Sequence, residues 1–179
     1  MAASESSQID STTRGSPALR PFTVRRATPA DAQDMQRVWQ ETVEMLGKAD
    51  GRFHLKPDAA DAWHKSLLDS LVREDMAVFV ADSTLTPGRI LGYIVGSIAD
   101  NLPTLLPDRH GFVGELAVDS HGKAGGIGRQ LLDALKIWFA ERGVAHVQAL
   151  VPARHPVAQA FWRALGASEM YDLMWLKLE

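Results

Sequence analysis

The sequence contains no cysteine. That absence removes a thiolate nucleophile, a redox pair, a disulfide framework and a Cys-based zinc site together, and no metal is expected. It also lacks a dominant charge: 19 Lys and Arg stand against 22 Asp and Glu, a formal net charge of −3, with no basic run. Binding along a nucleic-acid backbone needs such a run, so no nucleic-acid partner is expected and a small or locally recognised ligand is. Long apolar stretches are missing too. None approaches the roughly 18 to 20 residues of a membrane span. The N-terminal string MAASESSQIDSTTRG has no secretory apolar segment, so the expected location is cytoplasmic, without a membrane partner.

What remains is an ordinary soluble composition: 179 residues, 46% hydrophobic and 23% charged. A chain of this length buries roughly 68–70% of its unfolded surface and needs no staple to hold a core. Seven Ser and Thr fall in the first sixteen positions. Residues 1–20 therefore cannot offset the entropy of ordering and are expected to be a disordered tail, with one domain over residues 21–179.

From Phe22 the pattern changes. Phe22, Val24 and Arg26 alternate with Thr23 and Arg25, as in a short strand. Thr28-Pro29-Ala30-Asp31 opens a helix, with Thr28 accepting from the first turn; Met35, Val38, Trp39, Thr42, Val43 and Leu46 form its stripe, and Gly47 is the expected stop. A second helix starts near Asp58, with Ala60, Trp63, Leu67, Leu68 and Leu71 as its apolar face. Ala77 to Asp82 and Arg89 to Asp100 read as a hairpin around Thr86-Pro87-Gly88. Gly111 to Asp119 is a third strand, Ile127 to Arg142 a long helix, His146 to Val151 a strand, Pro156 to Leu165 a helix closed by Gly166, and MWLKLE a final strand. The order is βαα-βββ-αβαβ, an α/β domain on a mixed sheet.

The informative segment is the Gly-dense turn between a strand and the long helix. Such a turn aims free N–H groups outward with the positive helix end behind them, which suits phosphate. Its spacing is neither G-x-x-x-x-G-K-[ST], since no Lys-Ser or Lys-Thr follows Gly128, nor G-x-G-x-x-G, since Leu131 stands where the last glycine would. It fits R/Q-x-x-G-x-G/A, with Lys123 as the basic residue and Gly126 and Gly128 as the glycines.

At these residues the chain resembles the GNAT N-acetyltransferase superfamily. The string GELAVDSHGKAGGIGRQLL is similar to its acetyl-CoA motif, and His155-x-x-Ala158-x-x-Phe161-Trp162-x-x-x-Gly166-Ala167 is similar to N-x-x-A-x-x-F-Y-x-x-x-G-F. The resemblance implies the GNAT acyl-CoA N-acyltransferase fold over residues 22–179. It also implies that main-chain groups of Leu116, Ala117 and Val118 pair with the pantetheine arm of acetyl-CoA. The N–H groups of Ala124, Gly125, Gly126, Ile127, Gly128 and Arg129 would hold the pyrophosphate, with charge from Lys123 and Arg129.

Two departures stand out. The family's Asn is His155, which is either a pantetheine contact or simply a helix-start residue before Pro156. The Tyr that many members use as general acid is Trp162, whose indole cannot donate a proton in that role. Tyr93 and Tyr171 are the remaining tyrosines, and Tyr171 reaches the site only if the last strand brings it there. An acceptor lysine near pKa 10.4 costs about 4.6 kcal/mol to deprotonate at pH 7, and an α-amine near 8 about 1. Glu115 is the candidate base, an isolated carboxylate on the strand feeding the turn, expected to share a face with Val113 and Ala117; its other reading is an edge carboxylate. His54, His64 and His110 stand in reserve. Leu150, where other members carry a carboxylate, cannot serve.

The expected activity is acetyl transfer from acetyl-CoA to a primary amine, by direct attack in a ternary complex. The acceptor is a small molecule or a peptide amine; the first two helices, residues 47–57 and residues 100–110 are its expected surroundings, with Trp39, Glu41, Phe53, Trp63 and Asp100 as candidates. A catalytically silent acyl-CoA-binding module is the alternative. A homodimer is among the expected partners.

Overall fold

The structure, a computed structural model, describes residues 21–120 and 125–178. The expected tail, and Lys123 and Ala124 of the turn, lie outside the described residues. One mixed sheet runs β1 (Phe22–Arg26), β2 (Met76–Ser83), β3 (Ile90–Asp100), β4 (Arg109–Val118) and β5 (Val147–Ala149) in that spatial order. Neighbours are antiparallel except β4 and β5, which are parallel. The expected α/β class is what the chain adopts, and the expected element order holds from β1 to α4. Parallel pairing at β4–β5 requires a crossover, and α3 (Ile127–Ala140) supplies it.

Alternation along the strands divides the core between the two faces of the sheet. On one side Val78, Val80, Ile90 and Tyr93 meet α1 (Ala32–Ala49) and α2 (Ala59–Val72) through Met35, Val38, Trp39 and Leu67. On the other, Phe22, Ala77, Ala81, Ile94 and Val113 meet Ile127, Leu131, Leu135, Trp138 and Phe139 of α3, with Phe161, Trp162 and Leu165 from the end of the chain packed against them. The α3 layer lies close to the sheet because glycines face it. A Cβ on Gly96 would stand 2.6 Å from Leu135, and one on Gly111 2.7 Å from the Phe139 ring.

One irregularity positions everything that follows. Val95 pairs with Glu115, but the next β3 residue, Gly96, pairs with Val113. Gly114 is therefore the extra residue of a β-bulge, and the bulge reverses the alternation of β4. Val113 faces α3, whereas Ala117 belongs to the α1/α2 core. The expectation that Val113, Glu115 and Ala117 share a face fails for this reason: Glu115 and Ala117 share one and Val113 takes the other.

Two further expectations are corrected. The first helix passes Gly47 and ends at Ala49. Its start is a 3-10 turn, Pro29–Asp31, closed by a capping box between Thr28 and Asp31 in which the Thr28 hydroxyl and N–H both donate to Asp31 Oδ2. The final strand does not form: residues 167–178 carry no strand, and Met174, Trp175, Leu176 and Leu178 are each more than 70% exposed.

Candidate active site

β4 exchanges hydrogen bonds with β5 only along Gly111–Val113. Beyond the bulge, no strand among the described residues pairs with that side of Gly114–Val118, so Leu116, Ala117 and Val118 offer an open main-chain edge. Val118 is half-exposed there. The edge leads to the Gly-rich turn. Gly126 takes φ +86°, a left-handed conformation that a side chain would strain, and it opens α3 with no side-chain cap. The first-turn N–H groups of α3 thus form a positive helix end. Buried Ile127 pins this start to the core, while Gly128 faces Phe161 of α4 (Pro156–Ala164) at an ordinary 3.5 Å from where its Cβ would be. Arg129 is exposed and shares its charge with Asp133 at 3.3 Å.

The exit of β4 is tied to α1 by an ion-pair network that the sequence did not reveal. Buried Asp119 accepts from Arg89 at 2.7 Å and lies 3.1 Å from Arg37. Arg37 also binds Asp34, Glu41 and the Ile90 carbonyl, and the Asp34 carboxylate, with Glu41 and Asp119, raises its pKa further. Ser120 donates to Glu41 at 3.2 Å. The turn therefore leaves from a fixed point.

Glu115 lies on the α1/α2 face, half-buried, next to the open edge. The Trp63 indole N–H donates to both carboxylate oxygens at 3.1 Å, and the Tyr93 hydroxyl donates to Oε2 at 2.6 Å. Trp63 stacks on Trp39 with centroids 5.3 Å apart and planes 19° apart, and it tilts against Tyr93 at 5.8 Å. Burial, with the Glu115 charge and hydrogen bond adding to it, pushes the Tyr93 phenol well above its ordinary pKa. Trp39 is also part of the wall of a depression of about 200 Å³ between α1 and α2, with Val43, Glu44, Leu55, Lys56 and Pro57.

Other candidates fall elsewhere. His155 serves as the helix start, its Nδ1 accepting from the Ala158 N–H at 3.2 Å. Trp162 is half-buried and edge-on to Phe161. Tyr171 is 72% exposed in the segment without a strand. His64 meets Gln36, and His110 is buried at the far end of β4. Asp100 pairs across from Arg109, five β3 residues beyond Val95 and so about 17 Å from the level of Glu115. In the connection between α1 and α2, Phe53 and Leu55 are exposed. Among the described residues no group of three or more His, Asp or Glu is arranged for a metal, and no helix is long and apolar enough to cross a membrane.

A strand edge open beside a glycine-built helix start agrees with what comparison finds. The model of the acetyltransferase (GNAT) family matches residues 36–167. The chain belongs to this family. As a GNAT member it is an acyltransferase enzyme. No curated protein matches the chain. Solved structures show the same fold at low identity. A tetramutant of the BH1408 protein from Bacillus halodurans is 22% identical, with TM-score 0.74 over 87% of this chain and 99% of its own. The aminoglycoside acetyltransferase meta-AAC0020, from an uncultured soil metagenomic sample, is 20% identical, with TM-score 0.65 over 89% and 97%. The aminoglycoside N-acetyltransferase AAC(6')-Iy, in complex with CoA, is 16% identical, with TM-score 0.69 over 91% and 98%.

Proposed function

We propose that this GNAT member transfers acetyl from acetyl-CoA to the primary amine of a small molecule by direct attack in a ternary complex. The observation that carries the reading is the open β4 edge from Gly114 to Val118 running into a glycine-built helix start. An extended amide-bearing arm can add to such an edge as a further strand does, and a pyrophosphate suits the helix end beyond it. Main-chain groups of Leu116, Ala117 and Val118 would take the pantetheine arm, the N–H groups from Ala124 to Arg129 the pyrophosphate, and Lys123 and Arg129 would add charge. His155 keeps Nε2 for the arm while Nδ1 caps its helix.

Acetyl-CoA supplies the acetyl group already activated as a thioester. Glu115 accepts the proton that the attacking amine must lose, directly or through a water. A β4 main-chain N–H meets the charge that develops on the carbonyl oxygen. Since Trp162 has no acidic proton and the Tyr93 hydroxyl is committed to Glu115, the departing thiolate takes its proton from solvent. The aminoglycoside acetyltransferases among the similar structures support a small-molecule acceptor, and the depression beside Trp39 is the place for it. A cytoplasmic location is part of the same proposal.

A homodimer belongs to it as well. Tyr171, Leu173, Met174, Trp175, Leu176 and Leu178 lie between 72% and 85% exposed, and the outer edge of β5 has no strand partner among the described residues. Each copy offers the other both a free edge and a free apolar segment, so a two-fold exchange satisfies both.

A thiol-release screen with acetyl-CoA against simple amines, aminoglycosides and peptide N-termini tests the reading. Release matched one-to-one by amide from a small amine is expected. Tight binding of acetyl-CoA with no turnover of any amine would instead select the silent binding module, and turnover of peptides alone would move the acceptor class.

A further inference from the structure

We infer that Tyr93 and Trp63 are positioning residues that hold the Glu115 carboxylate in place and leave Oε1 as its proton-accepting oxygen; the inference rests on the reading of Glu115 as base. A glutamate on a strand has three rotatable side-chain bonds, and a base must be within hydrogen-bond reach of one particular proton. Here two donors from different elements fix it. The indole N–H from α2 bridges Oε1 and Oε2 at 3.1 Å each, which sets the plane of the carboxylate. The phenol from β3 takes Oε2 at 2.6 Å, the short separation of an O–H donor on a charged acceptor. Oε1 shares only the bridging indole hydrogen, and so keeps the greater free acceptor capacity.

The two donors are themselves held. Tyr93 is 1% exposed, so its hydroxyl has no solvent to turn to and remains a donor. Its raised phenol pKa agrees with that role. Trp63 is backed by the parallel face of Trp39, whose own exposure is 9%. The proton balance is simple: the amine N–H bond breaks, its proton goes to Oε1, and water takes it away as the site turns over. Tyr93 neither gains nor loses a proton. It therefore cannot stand in for the tyrosine missing at Trp162.

A double-mutant cycle on kcat decides the point, because a merely structural contribution would be independent of the carboxylate. Tyr93→Phe keeps the ring and removes one O–H. It is expected to lower kcat about tenfold with KM for acetyl-CoA unchanged, the effect of one lost hydrogen bond to a charged group. In a Glu115→Gln background the same change should alter kcat by less than about twofold. Trp63→Phe should follow the same pattern. Equal losses in both backgrounds would overturn the inference. A second measurement does not depend on turnover: in Tyr171→Phe, Tyr93 is the one remaining tyrosine, and its ultraviolet titration should move down when Glu115→Gln is added. No movement would remove the contact itself. A parent enzyme that acetylates no amine, or a Glu115→Gln variant as fast as the parent, would instead remove the base reading on which the inference rests.

Discussion

An indole and a phenol satisfy Glu115, whereas Asp31, Asp34, Asp50 and Asp119 each meet an arginine. On the proposed reading that difference sets Glu115 apart as the base: a guanidinium neutralises its partner, whereas Glu115 has no cation beside it among the described residues. Glu115→Gln is expected to bind acetyl-CoA as the parent does but to turn over about 100-fold or more slowly at neutral pH. The deficit should shrink as pH rises toward the amine's own pKa, which a pH–rate profile reads directly. Asp31 shows the opposite behaviour. Arg25 holds its carboxyl below the ordinary range through two hydrogen bonds of 2.7 and 2.8 Å, with Thr28 adding two more. A lowered folded pKa means stability that is present above the unfolded value, near 3.9, and lost as pH falls through the folded one. Asp31→Asn should therefore lower stability by about 1 kcal/mol at pH 7, Arg25 being partly exposed, and by nothing at the acid end; denaturant titration at the two pH values checks it. Glu115 was legible in the sequence as a lone carboxylate in an apolar run. Its face was not, because one bulged residue, Gly114, reverses the alternation from which the face was read.

The elements around the site depend on close approach. Gly96→Ala and Gly111→Ala would push a methyl into Leu135 and Phe139 at under 3 Å, and overpacking of this kind costs about 1–3 kcal/mol. Thermal melts should show a Tm several degrees lower for each, at about 2–4 °C per kcal/mol. Gly128 differs, since a methyl there meets Phe161 at an ordinary 3.5 Å. Gly128→Ala is thus expected to keep its Tm and still weaken acetyl-CoA binding about tenfold or more, while Lys123→Ala weakens it less; calorimetry on both variants tests whether main-chain approach outweighs side-chain charge. A greater loss from Lys123→Ala would reverse that ranking. The turn was readable from its glycines alone, because conformational need and residue type coincide there. The network that anchors it was not. Glu41 and Ser120 meet across 79 positions of sequence, and no local pattern marks such a pair.

At the scale of the whole molecule, element order and class were readable from periodicity and turn residues, and they fixed which strand feeds which helix. The end of the chain resisted the same logic. MWLKLE has the composition of a strand, yet a strand also needs an edge to pair with, and among the described residues it pairs with none. If a second copy provides the edge, light scattering should give twice the mass of the 19.6 kDa chain, and Trp175→Glu should halve it. A monomeric parent would remove the exchange. A chain shortened to begin at Arg20 should keep both Tm and donor affinity if the domain is residues 21–179. Most direct of all is a single assay that counts CoA thiol released and amide formed from acetyl-CoA and a small primary amine, with the parent and Gly128→Ala side by side. Equal counts in the parent, with turnover at low donor concentration lost in Gly128→Ala, are expected of a donor held along β4 and the Gly-rich turn; thiol release without amide, or a Gly128→Ala variant as active as the parent, would contradict it.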